Sequence, residues 1–410
     1  MRVVSDATVG TVLGRLEGSP RVVVSGNFAT PWQSLRILDG SVASYRLFAL
    51  NAQAGIPDRD GVTLESPFVG PGMRRSQRLR YLPCRLSLVP SLLSSALVPD
   101  VVLVQTSVPE RGTVSLGTEV NILPAAIEAA RSRGGLVMAQ LNRSVPYSYG
   151  DAVLATDEID LAMEADAPLA SPTPRDLSDV HRLIGERVGS LVPDGATLQV
   201  GIGAVPDAVL GALRDRHDLR VWSEMFSDGV LALAASGALD QESVVTASFA
   251  FGSSELYEWI DRNPRVRMLR TEKTNDPSLI ARQRAMTSVN GALQVDLFAQ
   301  ANAARVHGAI HSGFGGQTDF VVGALHSPGG SAIIALPSWH PKADVSTVVP
   351  RLAGPVTSFQ HSFFVSEQGT ATIWGNDAAT QAAQIISDVA HPAAREELRE
   401  AGRALGFGLG

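Results

Sequence analysis

Short runs of β-branched residues alternate along this chain with segments of helical spacing, and Gly- or Pro-marked breaks separate them. Residues 22–24 are Val-Val-Val and stop at Ser25-Gly26, after which residues 32–38 carry helical spacing. Residues 101–105 (Val-Val-Leu-Val-Gln) form another apolar run. Residues 125–133 read as a helix closed by Gly134-Gly135, and residues 136–140 (Leu-Val-Met-Ala-Gln) follow as a strand. Runs that are apolar on both faces predict buried strands, and the strand–helix–strand rhythm predicts a parallel sheet.

Residues 165–175 hold three prolines and no long apolar run, which predicts a linker. Residues 177–191 then predict an amphipathic helix with Val180, Leu183, Ile184, Val188 and Leu191 on its apolar face. Pro193-Asp194-Gly195 reads as a turn, and residues 196–200 as a strand running into Gly201. A faint internal echo links the halves: Ser25-Gly26 is followed by Pro31 and Leu35, and Val200-Gly201 by Pro206 and Leu210. The expectation is an α/β chain of two related open α/β domains with mostly parallel sheets. One spans residues 1–175 and the other residues 176–410, with a cleft between them.

Composition adds exclusions. The 410 residues are 45% hydrophobic and 18% charged, a globular balance, and exceed what one ordinary core organises. The net charge is -7 and no long basic run occurs, so no nucleic-acid partner is expected. A single cysteine, Cys84, excludes an intrachain disulfide and a cysteine-rich metal site. Residues 86–104, the most apolar long stretch, are broken by Pro90, Pro99 and Asp100, so no membrane span is expected. The first residues lack the apolar core of a signal peptide, and a cytoplasmic protein is the default.

Four segments are candidates for chemistry. Gly201-Ile202-Gly203-Ala204-Val205-Pro206 joins a strand to a helix, where glycines admit a ligand close to the backbone; taken alone, it reads first as a tight turn. Residues 248–254 (Ser-Phe-Ala-Phe-Gly-Ser-Ser) make a second such junction, with Ser253 or Ser254 as helix cap. Arg270-Thr271-Glu272-Lys273-Thr274-Asn275-Asp276-Pro277 follows a strand, at the end where open α/β folds place ligands; taken alone, Glu272 reads as a solvated loop carboxylate. Residues 313–320 (Gly-Phe-Gly-Gly-Gln-Thr-Asp-Phe) form a glycine-rich loop whose amides suit an oxyanion or a narrow channel.

These segments and their flanks resemble the acetyl-CoA hydrolase/transferase family. The matching stretches include residues 108–112 through 115–117, residues 125–130, Tyr149-Gly150-Asp151 and Glu158-Ile159-Asp160. They continue with residues 201–209, residues 223–229 (Ser-Glu-Met-Phe-Ser-Asp-Gly), Thr274-Asn275-Asp276-Pro277, residues 313–320, residues 334–338 and Ala390-His391-Pro392. The resemblance covers nearly the whole chain, most strongly residues 180–400.

The resemblance implies a pair of α/β domains with the active site between them. It implies an enzyme that moves CoA between an acyl-CoA and a small carboxylic acid, with Glu272 as the catalytic residue carrying CoA as a glutamyl thioester. By the same resemblance, Phe249, Ala250, Phe251, Gly252 and Ser253 contact CoA, as do Val345 and Gly369. We expect oxyanion donors at Gly315 and Gly316, or at Gly369. Coenzyme A is then a substrate delivered as acyl-CoA; no tightly bound cofactor and no metal are expected, and a homodimer is plausible from the family.

A carboxylate suits this reaction because it is already anionic at neutral pH and needs no base. Glu224 reads as a structural or supporting acid, and Glu367, near Gly369, as a supporting group. His307 and His311 are four apart, but Gly308 and Gly313 argue against a helix there and no third ligand is evident. Members of the family often carry a lysine late in the chain near the CoA phosphates. Here no lysine follows Lys342, and Arg351 or Arg395 are the candidate substitutes. Two other functions stay open: an acyl-CoA hydrolase using the same Glu272, and a non-catalytic CoA-binding protein.

Overall fold

A computed structural model describes residues 1–173, 176–354, 356 and 360–409. The chain forms two compact units. The first comprises Met1–Pro172, Val244–Thr274 and Ile310–Gly315, and the second Thr173–Ser243, Asn275–Ala309 and Gly316–Gly410. A single cut between residues 175 and 176 therefore does not describe the chain. Residues 244–274, expected in the C-terminal domain, belong to the first unit, and Glu272 with them.

The first unit is built on an eight-stranded sheet. Its order is Arg2–Val3, Leu161–Ala165, Leu136–Asn142, Val101–Thr106, Arg21–Val24, Tyr45–Phe48, Val62–Ser66 and Leu79–Tyr81. Every neighbouring pair runs parallel. The apolar runs 22–24 and 101–105 lie in its centre and are buried on both faces, as strands covered by helices must be. Trp32–Ser41 follows Arg21–Val24, and Leu123–Arg131 leads to Leu136–Asn142. Val9, Leu13, Leu35, Leu38, Leu47 and Leu64 share one buried cluster with the sheet.

A small parallel sheet in the same unit sets the position of the candidate nucleophile. Val245–Ala247 pairs with Val266–Met268, which pairs with Tyr149–Gly150. Loops leaving the first two strands thus start side by side.

The second unit carries a six-stranded sheet. Its order is Arg220–Val221, Thr197–Val200, Met286–Gly291, Ser331–Ala335, Phe363–Val365 and Thr370–Thr372, parallel except for the last pair. The predicted helix at 177–191 is Asp179–Leu191, capped by the Ser178 hydroxyl. Its buried face is Ile184, Gly185, Val188 and Gly189, whereas Leu183, expected inside, is 42% exposed. The displacement has a steric cause. Gly185 and Gly189 admit the neighbouring helix Ala204–Ala212 so closely that a Cβ on Gly185 would sit 2.5 Å from the Ala208 carbonyl oxygen.

The two echoed segments both run from strand to helix, but in different registers. Pro31 precedes its helix, while Pro206 lies within the first turn of a helix capped by Gly203. Gly26 is required because a side chain there would collide with the Leu50 backbone; Gly201 faces open space.

Candidate active site

Glu272 sits on a single helical turn, Thr271–Thr274, and not on the open loop that its polar sequence predicts. Two contacts within the first unit fix the backbone of this turn. The Thr271 amide donates to the Asn121 carbonyl at 2.9 Å. Asp151 accepts from the Arg270 amide at 3.0 Å and from Lys273 Nζ at 2.7 Å, pinning residues on both sides of Glu272.

One guanidinium holds the Glu272 side chain. Arg270 donates to Glu272 Oε1 twice, from Nε at 2.9 Å and from Nη2 at 2.7 Å. Its far edge meets Glu128 in a bidentate pair, Nη1 to Oε1 at 2.7 Å and Nη2 to Oε2 at 2.8 Å. Glu272 Oε2, in contrast, is buried and has no hydrogen-bond partner among the described residues. Its two oxygens are therefore unequal: one carries two charge-assisted hydrogen bonds, and the other is bare. Hydrogen bonds from Arg270 hold the Glu128 carboxyl below the usual carboxylate range, and the same pair raises the Arg270 guanidinium above its ordinary value.

The segment 249–253 lies beside this turn through shared backbone partners. Val120 and Asn121 both donate their amides to the Ser248 carbonyl, at 2.9 and 3.1 Å, and Ala250 donates to Thr118 at 2.8 Å. Asn121 thus holds the Glu272 turn by its carbonyl and, by its amide, Ser248, the residue that leads into the 249–253 segment. Phe249 and Ala250 are buried. Phe251 stacks on Phe28 with ring centroids 3.5 Å apart. The Gly252 amide donates to the Tyr257 hydroxyl at 3.3 Å, and Ser253 caps the helix Ser254–Ile260 by accepting from the Leu256 amide at 3.3 Å. A cleft of about 730 Å³ in the first unit opens next to this segment, lined by Arg143, Tyr147, Leu169, Ser254, Tyr257 and Arg262 among others.

A buried acid that the sequence reading does not single out lies under the same structure. Glu119 Oε1 accepts from Asn27 Nδ2 at 2.9 Å and Asn121 Nδ2 at 2.8 Å. Burial pushes its carboxyl up to about 7, against the lowering effect of Asn121, Asn27 and the Gly26 amide. The available signal was the polar residues Thr118, Glu119 and Asn121 set among apolar ones. Arg270, Glu128 and Asp151 were present in the matched segments, but nothing in their spacing links them.

The other expected site residues are placed as follows. Gly315 belongs to the first unit, where its carbonyl accepts from the Leu86 amide at 3.0 Å. Gly316, Val345 and Gly369 belong to the second. The glycine-rich loop is short, because the helix Gln317–His326 begins directly after Gly316. The Gly316 amide is hydrogen-bonded to Glu224, and a side chain at 316 would collide with that carboxylate. Glu224 is partly buried; desolvation pushes its carboxyl up to about 7 with a smaller push from Asp319, while Asn275 and Gly316 act the other way. Val345 is 49% exposed on the two-residue strand Val345–Ser346. Gly369 is buried in the turn before Thr370–Thr372, too close to the Asp388 carbonyl for a side chain. Glu367 accepts from the amide and hydroxyl of Ser338. Arg351 is exposed, and Arg395 donates to the Ala390 carbonyl at 3.1 Å. His307 lies outside any helix, between Arg305–Val306 and Ala309–Ile310.

Among the described residues no cluster of three metal-ligating side chains occurs, and no helix is long and apolar enough to cross a membrane.

Known proteins share this architecture and sequence. The model of the acetyl-CoA hydrolase/transferase C-terminal domain matches residues 252–402. The 4-hydroxybutyrate coenzyme A transferase of Clostridium kluyveri is 38% identical over 335 residues, covering 79% of this chain and 77% of that protein. The chain belongs to the acetyl-CoA hydrolase/transferase family, and it is a CoA-transferase-family enzyme. A second relative aligns over a longer stretch. The succinyl-CoA:acetate/propanoyl-CoA:succinate CoA transferase of Fasciola hepatica is 33% identical over 414 residues, 95% of this chain and 85% of that protein. In structure, RipA from Yersinia pestis superposes with a TM-score of 0.91 at 27% identity, covering 99% of this chain and 98% of that one.

Proposed function

We propose that this enzyme moves CoA between an acyl-CoA and a small carboxylic acid by ping-pong chemistry, with Glu272 as the covalent carrier. The observation that carries the reading is the unequal carboxylate. Glu272 Oε1 is held twice by Arg270, while Oε2 is buried and unpartnered. A buried polar atom without a partner calls for an explanation, and a nucleophile that substrate binding uncovers supplies one. The surroundings support it, since the Glu272 turn and the 249–253 segment both leave the carboxyl ends of adjacent parallel strands.

The bonds follow in order. Glu272 Oε2 attacks the thioester carbonyl of the acyl-CoA, the C–S bond breaks, and CoA leaves as thiolate with the electron pair. The thiolate attacks Cδ of the resulting mixed anhydride. The product acid leaves as carboxylate, taking the bridging oxygen, and a glutamyl-CoA thioester remains. An incoming carboxylate attacks that thioester and the two steps run in reverse. A carboxylate is a weak nucleophile, so placement has to contribute much of the rate, up to about 7–11 kcal/mol. The two fixed backbone attachments of the turn, at Asn121 and Asp151, are suited to that. We assign CoA contact to residues 249–253, with Val345 and Gly369, and oxyanion donation to the acyl carbonyl to Gly315 and Gly316. The Gly316 amide is engaged by Glu224 before substrate arrives, so its use requires that contact to yield.

The test follows thiol release from acyl-CoA with and without an acceptor acid, in the native enzyme and in Glu272→Ala. A transferase turns over only with acceptor present, and Glu272→Ala loses at least about 1000-fold in kcat. Sustained thiol release without acceptor identifies a hydrolase instead, and full activity in Glu272→Ala overturns the assignment.

A further inference from the structure

We infer that Arg270 is a further catalytic residue: its Nε–H and Nη2–H form the oxyanion site for every step at the Glu272 carbonyl carbon, and Glu128 holds it there. The inference rests on Glu272 being the covalent carrier and concerns a different atom from the attacking one.

Two of the four bond-making steps occur at Glu272 Cδ. In one, CoA thiolate attacks the mixed anhydride; in the other, the acceptor carboxylate attacks the thioester. Each places a tetrahedral carbon at Cδ and moves negative charge onto the oxygen that stays with the enzyme. Oxygen Oε2 is consumed as the bridging atom, so the retained oxygen is Oε1. Arg270 meets Oε1 with two N–H donors at 2.9 and 2.7 Å, the distance range in which oxyanion donors act. When the tetrahedral species collapses, either the sulfur or the carboxylate leaves with its electron pair, and Oε1 returns to carbonyl form.

Charge balance argues for Glu128. Conversion of the carboxylate to a thioester removes the negative charge that Arg270 faces at rest. A guanidinium with one anionic partner would then swing away or draw in another. Here the bidentate pair with Glu128 remains, so Arg270 keeps an anion on its far edge and its near edge stays on Oε1 through the cycle. Glu128 is a positioning residue, since among the described residues its side-chain hydrogen bonds go to Arg270 alone. The arrangement also separates two oxyanion tasks: one site for the acyl carbonyl, and this one for the glutamyl carbonyl.

The experiment isolates the half-reaction at Cδ. Enzyme is first loaded with acyl-CoA, the glutamyl-CoA adduct is purified, and its discharge by acceptor acid is timed by rapid quench and intact mass. Arg270→Gln and Arg270→Ala are expected to slow discharge by about 100- to 1000-fold, with the KM for acyl-CoA changed only a few-fold. Arg270→Lys retains one charged donor and is expected to recover part of the rate. Added guanidinium ion is expected to speed discharge in Arg270→Ala, a rescue that a merely structural role would not give. Glu128→Gln is expected to slow discharge by a smaller factor. Infrared spectra of the adduct should show a higher thioester carbonyl frequency in Arg270→Gln, because the oxygen loses its donors. Discharge at the native rate in Arg270→Gln, or the same carbonyl frequency, overturns the inference. If Arg270→Ala fails to fold, Arg270→Lys and Arg270→Gln decide the matter by the same readouts. Absence of any adduct in the native enzyme overturns the covalent carrier itself, a separate failure.

Discussion

Two asparagines and one acid do much of the local construction beneath the site. Asn27 and Asn121 both adopt positive φ, 39° and 22°, a region that Asn tolerates better than most residues. Both turn their side-chain amides onto Glu119, which is fully buried. Its carboxyl lies at about 7 in the fold against an ordinary 4.5, so the folded state binds the proton more tightly than the unfolded chain does. Stability from this group is therefore fully present below about 4.5 and falls as pH rises through 7, by a total on the order of 3 kcal/mol. Glu119→Gln abolishes that titration. Urea unfolding at pH 5 and pH 8 should show the native enzyme losing stability relative to Glu119→Gln as pH rises; parallel behaviour would contradict this. At this scale the flanking motif singles out Glu272 as a candidate, but nothing in the sequence singles out its neighbours. Arg270, Glu128 and Asp151 are solvent-compatible residue types that look the same whether paired or exposed. Only the folded chain shows that residues 142 positions apart form one bidentate pair.

At the level of elements, hydrophobic patterning located several of the central strands and helices. Residues 22–24, 101–105 and 136–140 all lie within strands of the parallel sheet, because runs buried on both faces leave no other solution. Patterning failed where glycine, not leucine, made the contact. On Asp179–Leu191 the apolar periodicity points to Leu183, yet the packed stripe runs through Gly185 and Gly189, which have no side chain to register in such a pattern. Gly185→Val should place two methyl groups against the backbone of Ala208 and destabilise the second unit by about 2–3 kcal/mol or more. Leu183→Ala, at an exposed position, should change stability by less than about 1 kcal/mol. Thermal unfolding of the two variants checks the contrast, and equal losses would contradict the packing described. The turn Thr271–Thr274 was missed for a related reason: four residues of mixed polarity carry no period, and tertiary attachments at Asn121 and Asp151 define it.

For the whole molecule, the sequence conveys class and family but not the path of the chain. A strand run shows that it will be buried without showing against what. Val244–Thr274 returns to the first unit after the chain has entered the second, and Ile310–Gly315 does so again. Those returns place Glu272 and the 249–253 segment within one compact unit, so the proposed carrier and its expected CoA-contact segment share a scaffold. The most direct test of the account is the mass of the Glu272 peptide after the enzyme is mixed with acyl-CoA and quenched before acceptor is added. The account predicts that this peptide gains the mass of coenzyme A less one water, and that Glu272→Ala gains nothing. An adduct on any other residue, or an undiminished adduct in Glu272→Ala, would contradict it.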